Sequence, residues 1–358
     1  MTTFLQLHLL TAYPPACLNR DDLNRPKTAV MGGVPRLRVS SQSLKRAWRT
    51  SEQFETALKG HVGTRTKLKG VEVYERLVKA GIMEKDAKDW AQAIAGRFGK
   101  LKGKKEGKPR NDLEIEQLAH FSPEEESAIN ALADQLVSEN RKPTDNELEL
   151  LRKQHTAADI ALFGRMLADS PAFNTEAACQ VAHAVTVHRA AVEDDFFTAV
   201  DDLNTREEDA GSAHMGEQGF GAGLFYSYIC VNCDALREQL GDDLAGKAIQ
   251  ALTEAAATVA PTGKQNSFAS RAWAYYALVE KGSRQPRALS LAFMKPVNDF
   301  GDGMLANAVQ ALEAMRDNLD QVYYDGQSLA SRKLVALPDK AEGSFKELLG
   351  FAADCGGA

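Results

Sequence analysis

The chain has 358 residues and a net charge of −6 at pH 7, with 44% hydrophobic and 26% charged residues. These values are typical of folded globular proteins and exclude a chain that is disordered throughout. No apolar run approaches the ~20 residues of a membrane-spanning helix, and the apolar start lacks the basic residues and cleavage site of a signal peptide. We therefore expect a cytoplasmic protein with no membrane partner.

The first half of the chain is predicted to be one strand followed by helices. Residues 4–11 alternate in the manner of a strand, and a loop rich in Pro, Gly and Asn follows. A helix is predicted from about Ser41 to Leu58, with Ser40 or Ser41 as its N-cap. Further helices are predicted over 67–80, over 84–97, after Ser122, after Thr144 and after Asn174.

The second half changes character at about residue 192. Two aromatic stretches around a polar, acidic middle predict a long β-hairpin. Helices are predicted over 244–259 and 302–318, and strands over 271–280 and 288–297. This order fits an α+β fold with a β-α-β-β-α-β core and two insertions.

One basic strip stands out against the acidic remainder. The first 50 residues carry a net charge of +6 and the rest −12, and "RLRVSSQSLKRAWR" (36–49) holds five basic residues and no acidic one. In the predicted helix, Gln42, Lys45, Arg46 and Arg49 stand at i, i+3, i+4 and i+7 and share a face. Such a row of donors at a helix start fits a nucleic-acid backbone. The alternative is a solvated amphipathic face.

Other patterns predict neither a cofactor nor a metal. Three alternate glycines (219–223) fail the dinucleotide-binding fingerprint because Leu224 follows them. His183 and His188 are five residues apart on a predicted helix and would not share a face. Asp21 and Asp22 could serve metal-dependent hydrolysis, but they lie in a predicted turn outside any metal motif.

Several motifs resemble one known family. "CLNRDD" (17–22), "GG" (32–33) and "RVSSQSLKRA" (38–47) are similar to the start of the CasC-type backbone subunit of the type I-E CRISPR Cascade complex. "DIALFGRM" (159–166), "FFTAVDDL" (196–203) and "GSAHMG" (211–216) resemble its later motifs, in the same order. The resemblance spans nearly the whole chain and is least in residues 60–155 and in the tail.

The resemblance implies a hand-shaped fold in the RAMP superfamily. An RRM-like (ferredoxin-like) palm would hold the basic helix in 1–60 and be completed by 231–358. A helical fingers insertion would occupy 61–190, and a thumb β-hairpin 191–230. The resemblance also implies a non-catalytic subunit for antiviral defence that polymerises along the spacer of a guide. Its partners would be CRISPR RNA, target DNA, other copies of the chain and other Cascade subunits.

The resemblance and the charge pattern together nominate three sets of residues. Guide RNA contacts, which must ignore sequence and so address phosphates, would come from Arg20, Lys27, Ser40, Gln42, Lys45, Arg46, Arg49, Arg165, Lys264 and Gln265. Met166 would also bind RNA, as a wedge against bases. Thumb residues that wedge against bases would be Phe196, Phe197, Thr198, Val200 and Met215. Charge alone suggests a DNA contact in a mobile basic loop, at Lys100, Lys102, Lys104, Lys105 and Lys108.

Two competing functions remain open at this point. One is a metal-dependent endoribonuclease on the same kind of palm, with Asp21 and Asp22 in the loop after the first strand. The other is a general single-strand binding protein, which would bind any RNA without partner subunits or a defined guide length.

Overall fold

The computed structural model describes residues 1–199 and 214–354 and gives the bounds of their strands and helices. The strands are β1 (Phe4–Ala16), β2 (Thr28–Met31), β3 (Val34–Val39), β4 (Thr64–Thr66), β5 (Ala119–Phe121), β6 (Cys179–Val181), β7 (Ala184–Thr186), β8 (Glu193–Ala199), β9 (His214–Asn232), β10 (Ala274–Gly282), β11 (Ala330–Leu337) and β12 (Lys340–Glu342). The helices are α1 (Ser41–Arg49), α2 (Glu52–Ala57), α3 (Lys69–Lys79), α4 (Glu84–Ala95), α5 (Pro123–Glu139), α6 (Ala158–Phe163), α7 (Cys233–Leu240), α8 (Asp242–Thr258), α9 (Gln265–Phe268), α10 (Gly303–Tyr324) and α11 (Phe345–Ala353).

A large sheet dominates the α+β fold. Its strands follow the order β12-β11-β10-β1-β9-β7-β3-β2, and both β6 and β8 pair with β9. The pairs β1·β10, β10·β11, β3·β7, β7·β9 and β8·β9 are antiparallel. In the described ranges, no helix combines the length and the apolar character needed to cross a membrane.

The chain divides into two compact units. The first contains residues 1–54, 180–231 and 249–358, and the second contains 55–179 and 232–248. In the first unit Tyr226, Tyr276, Phe293 and Leu312 belong to one buried apolar cluster. The second unit has its own cluster, in which Phe98, Phe121 and Leu136 from three different segments are almost completely buried. Each unit therefore has a core of its own.

A buried polar network lies within the first unit's core. His8 is fully buried, and its Nδ1 accepts from the Tyr226 hydroxyl at 2.9 Å while Nε2 lies 3.3 Å from Glu280 Oε2. Glu280 in turn forms a two-pronged ion pair with Nη1 and Nη2 of Arg287, and Nη2 also donates to Asp320 at 3.0 Å. Burial is the largest influence on His8 and lowers its pKa, although Glu280 acts in the opposite direction.

We expect this histidine to make stability depend on pH. Because the folded pKa of His8 lies below its ordinary value of 6.5, the unfolded chain takes up the proton first as the pH falls. Stability is therefore lost below about pH 6.5, by up to ~1.4 kcal/mol per pH unit from this group. Urea unfolding across this range should show the loss, and a His8→Asn variant should show a shallower pH slope. An unchanged slope in the variant would contradict the assignment.

Most elements predicted from the sequence are present, with adjusted bounds. The first strand is longer than predicted, the hairpin arms are β8 and β9, and the helices near 67–80, 84–97, 244–259 and 302–318 are α3, α4, α8 and α10. The helix predicted from Ser41 to Leu58 is broken into α1 and α2. Ser51 makes the break, because its hydroxyl donates to the Trp48 carbonyl and accepts from the Phe54 amide.

The helix predicted after Thr144 is wrong, although its capping contacts form. Thr144 N donates to the Glu147 carboxylate at 2.8 Å, and Glu147 N donates back to the threonine hydroxyl at 3.4 Å. The chain then stays irregular, with Leu148 and Leu150 buried in the second unit's cluster and Glu149 exposed between them. Residues two apart lie on nearly opposite sides of a helix, so a regular helix would not bury both leucines on one side. Tertiary packing therefore overrides the local helix signal.

Two further predictions are wrong for similar reasons. The helix predicted after Asn174 is replaced by β6 and β7, whose residues are held by the pairing of β7 with β3 and β9. The strand predicted over 288–297 is a short 3₁₀ turn at residues 290–293. Leu289 and Phe293 are both fully buried, and a helical turn brings residues four apart to one side.

Candidate nucleic-acid interface

The basic helix forms as the sequence predicts. Ser40 is its N-cap, and the serine hydroxyl accepts the Ser43 amide at 3.4 Å. The helix buries Leu44, Ala47 and Trp48. Gln42 and Arg46 are exposed, and Lys45 and Arg49 are partly exposed. The apolar and donor-bearing faces of α1 are thus separated, which leaves the donors accessible to an anionic partner.

The loop after β1 is fastened to the start of this helix. Asn19 accepts the Ser40 amide with its side chain at 2.9 Å, and its carbonyl accepts the Lys27 amide at 2.8 Å. The Lys27 carbonyl in turn accepts the Arg38 amide at 2.8 Å. These bonds bring Lys27 beside Ser40 and Arg38. Sequence reasoning missed Asn19, although it belongs to the "CLNRDD" stretch.

Asp21 acts as a turn residue. One of its carboxylate oxygens accepts the amides of Leu23 and Arg25, both at 2.9 Å. The preceding Arg20 is exposed and bonds Asn24 at 3.2 Å. Within the described residues, no group of three His, Cys, Asp or Glu side chains is placed to hold a metal ion. The observed bonds of Asp21 hold the loop in shape.

Lys264 lies far away in the sequence but near the same loop in the fold. A side chain at Gly263 would lie 2.3 Å from the Leu18 carbonyl oxygen, so only glycine allows this close approach. Burial raises the pKa of the Cys17 thiol, whereas the nearby charges of Arg20 and Lys264 lower it by a smaller amount. Gln265 uses its amide to donate to the Pro261 carbonyl at 2.8 Å, which shapes the loop.

A shallow groove lies among these segments. Lys27 and Arg38 border it beside Leu18, Leu37 and Phe225, whose side chains are almost fully buried. The two cations give the groove a positive charge that suits a phosphate.

One arginine of the basic strip is not part of this surface. Arg36 is fully buried, and its guanidinium donates to the carbonyls of Met31 at 3.3 Å, Thr186 at 3.2 Å and Phe293 at 2.8 Å. Burial lowers its pKa. Arg36 therefore ties β2 and β7 to the turn at residue 293, and four of the strip's five basic residues remain for the surface.

The two histidines predicted to share a helix do not lie on one. His188 follows β7, and its Nε2 accepts the Leu224 amide at 3.0 Å, which supports the pairing of β7 with β9. His183 lies between β6 and β7 and contacts the start of α1. Neither is part of a metal-binding group in the described residues.

In the second unit, Arg165 does not fit the predicted RNA contact. Its side chain is 1% exposed and pairs with the equally buried Glu125 at 2.7 Å. It also donates to the carbonyls of His120, Arg152 and Phe173. The next residue, Met166, is 72% exposed and borders a shallow groove that Leu118 also lines. Of this predicted pair, only Met166 is available to a ligand.

The described part of the hairpin exposes two phenylalanines. In β8, Phe196 is 66% exposed and Phe197 is 43% exposed. Adjacent strand residues point to opposite faces, so the two rings cannot form one continuous wedge. Thr198 is exposed and its backbone pairs with Met215. Val200 lies outside the described residues, and of Met215 the structure describes the backbone pairing alone.

The basic loop predicted to contact DNA is partly neutralised. Lys102 pairs with Glu114 at 2.5 Å and Lys100 with Glu116 at 3.2 Å. The remaining three lysines of the set are exposed, and the backbones of the last two pair across a turn. These are Lys104, Lys105 and Lys108.

Solved structures of two other proteins are similar to this chain over almost its whole length. A chain of a "CRISPR RNA-guided surveillance complex, pre-nicking" is 30% identical with a TM-score of 0.83, over 98% of this chain and 99% of that one. A chain of a "CRISPR RNA-guided surveillance complex" is 26% identical with a TM-score of 0.62, over 98% of each chain. No curated protein matches the chain.

The fold is thus that of subunits found in CRISPR RNA-guided surveillance complexes, the class to which CasC-type backbone subunits of Cascade belong. Within this class, residues 5–350 match the family model described as "CT1975-like protein", and the chain belongs to that family. The relationship expected from the sequence motifs is confirmed.

Proposed function

We propose that the chain is a non-catalytic, CRISPR RNA-binding backbone subunit of a type I-E Cascade in the cytoplasm. Copies polymerise along the guide spacer and present it for pairing with target DNA in antiviral defence. The observation that carries the proposal is the cationic surface of the first unit. There Lys27 is joined to Arg38 by a backbone hydrogen bond and to the start of α1 through Asn19. Phosphate contacts of this kind are independent of sequence, as binding to varied spacers requires.

The sheet supports an RRM-like palm. Along the chain, β1, β7, β9 and β10 are candidates for its four strands, with α1 after the first and α8 before the last. Their order in the sheet is β10-β1-β9-β7. This is the 4-1-3-2 order of a β-α-β-β-α-β fold. The hairpin arms β8 and β9 suit the thumb.

Co-purification tests the proposal. The chain is expressed with its partner subunits and a repeat–spacer array, and bound RNA is extracted and sequenced. We expect RNAs of uniform length with repeat-derived ends, and several copies of the chain per RNA. Unselected cellular RNA of all lengths, bound without partner subunits, would instead indicate a general single-strand binding protein.

The endoribonuclease alternative is tested with complementary RNA and a divalent metal. We expect no cleavage, and we expect Asp21→Ala to affect the local turn, since its carboxylate accepts two backbone amides. Metal-dependent cleavage that is lost in Asp21→Ala or Asp22→Ala would overturn the non-catalytic assignment.

The exposed lysines of the basic loop are proposed to contact DNA. We expect the triple variant Lys104→Ala, Lys105→Ala, Lys108→Ala to weaken target DNA binding and to flatten its salt dependence. The slope should fall by about 0.9 for each phosphate of a duplex that the variant no longer neutralises. Guide RNA content should be unchanged. The matched control neutralises Lys100 and Lys102, whose charges are already paired. Equal weakening in both variants would argue against a specific contact.

A further inference from the structure

His183 lies where three elements of the first unit meet. Its Nδ1 is 3.3 Å from the backbone nitrogen of Ser41, the first residue of α1. The same atom is 3.3 Å from Nη1 of Arg38 on β3. The residue after the histidine, Ala184, begins β7 and pairs with Val39 at the end of β3. The sheet therefore fixes the backbone from which the imidazole reaches α1.

Both contacts require a neutral imidazole. A backbone amide and a guanidinium can only donate, so Nδ1 must accept and cannot carry a proton. A protonated ring would lose both hydrogen bonds and would place a third positive charge against Arg38 and Lys27. The facing groups from each element favour the neutral form, since β3 contributes Arg38, the segment before β2 contributes Lys27, and α1 contributes the positive end of its dipole.

The arginine that His183 contacts is part of the proposed RNA surface. The Nε atom of Arg38 donates to the Thr28 carbonyl at 3.4 Å, and the backbone amide of Arg38 donates to the Lys27 carbonyl. Arg38 also lines the shallow groove with Lys27. The imidazole accepts a hydrogen bond from the outer end of the Arg38 guanidinium. Without the imidazole, the guanidinium would keep only its contact with the Thr28 carbonyl.

We propose that His183 is a positioning residue for guide RNA, which in its neutral form holds Arg38 and the start of α1 in the arrangement that receives phosphates. The inference rests on the proposed function and deepens it. Protonation breaks two hydrogen bonds and drives Arg38 away from its position, so affinity for RNA falls as the ring takes up a proton. His183 is exposed, but partial loss of hydration and then the charges of Arg38 and Lys27 lower its pKa, which favours the neutral ring near pH 7.

Two substitutions distinguish the role of His183 as a hydrogen-bond acceptor from the effect of its charge. Asn places its side-chain oxygen near the position of Nδ1 and does not titrate, so His183→Asn should retain RNA affinity at every pH. His183→Ala removes the acceptor and should weaken binding at pH 8 by about fivefold, the effect of one net hydrogen bond. Thermal unfolding of each variant identifies one that fails to fold. If His183→Ala does not fold, the comparison of the wild type with His183→Asn across pH still tests the inference.

The experiment titrates a labelled repeat–spacer RNA with the full-length chain in the presence of its partner subunits, between about pH 5.5 and pH 8. We expect the affinity of the wild type, relative to His183→Asn, to fall as the pH is lowered. An unchanged or rising ratio would overturn the inference, as would an Ala variant that binds RNA as well as the wild type at pH 8. If the wild type binds no RNA at any pH, it is the proposed function that fails.

Discussion

The double variant Lys27→Glu, Arg46→Glu is expected to lose most of the guide RNA that the wild-type chain retains. Lys27 is held beside the start of α1 through Asn19, and Arg46 is exposed on the donor face of the same helix. Reversal removes two phosphate contacts and adds repulsion from two carboxylates. The slope of log affinity against log salt should fall by about 1.4, since each contact with a single strand contributes roughly 0.7. Binding is measured by co-purification and by salt titration.

A matched control distinguishes loss of RNA contacts at this surface from an effect of the protein's net charge. Lys85 on α4 and Lys346 on α11 are exposed and lie outside the proposed surface. Reversing both changes the total charge by the same amount, and we expect the RNA content to stay near that of the wild type. Equal losses in the two double variants would mean that RNA follows the overall charge of the protein, and the assignment to α1 and the loop after β1 would fail.

The part of the interface that could be predicted is the part that local sequence determines. The spacing of Gln42, Lys45, Arg46 and Arg49 defines one helix face wherever the helix lies, and Ser40 caps its own helix through a neighbouring amide. Lys27 was nominated by its motif. Its position beside Ser40, however, depends on bonds made through Asn19, and no spacing rule reveals them.

Residues whose roles depend on distant partners could not be placed. Arg36 and Arg38 are equivalent in the sequence and, two apart on β3, share a face of the strand. Arg36 is nevertheless buried against three carbonyls from other segments, whereas Arg38 is partly exposed. The sequence predicts a helix after Asn174 that includes His183, but this residue lies between β6 and β7. The pairing of β7 with β3 and β9, which lie far away in the chain, favours strands over a helix here.

The region after Thr144 illustrates the same limit in the second unit. Its capping box is correct in chemistry, since both hydrogen bonds form. Arg141 adds an ion pair to Glu147 at 2.6 Å. A cap stabilises a helix by about 1 kcal/mol, whereas burial of two leucine side chains is worth roughly 1.5–3 kcal/mol each. Leucine burial therefore decides the conformation, and Leu148 and Leu150 are buried from an irregular chain.

Arg165→Ala is expected to destabilise the second unit strongly, by about 3–5 kcal/mol, because it leaves a buried carboxylate without its counter-charge. Glu125 is fully buried and pairs with Arg165 at 2.7 Å. The same carboxylate accepts the amides of Ser122 and Arg152, both at 2.9 Å, so it cannot turn towards solvent without breaking the cap of α5. The arginine also donates to three carbonyls that come from separate segments. Denaturant unfolding of the isolated chain measures the destabilisation.

Two further variants decide between this structural role and the RNA contact expected from the motif. Arg165→Met with Glu125→Gln removes both charges and should recover part of the stability, since replacing a buried pair costs less than breaking it. Met166→Ala alters an exposed neighbour and should leave the free energy of unfolding within about 0.5 kcal/mol of the wild type. An Arg165→Ala protein as stable as the wild type but poor in RNA would contradict the structural role, because removal of a direct phosphate contact weakens binding without exposing the core.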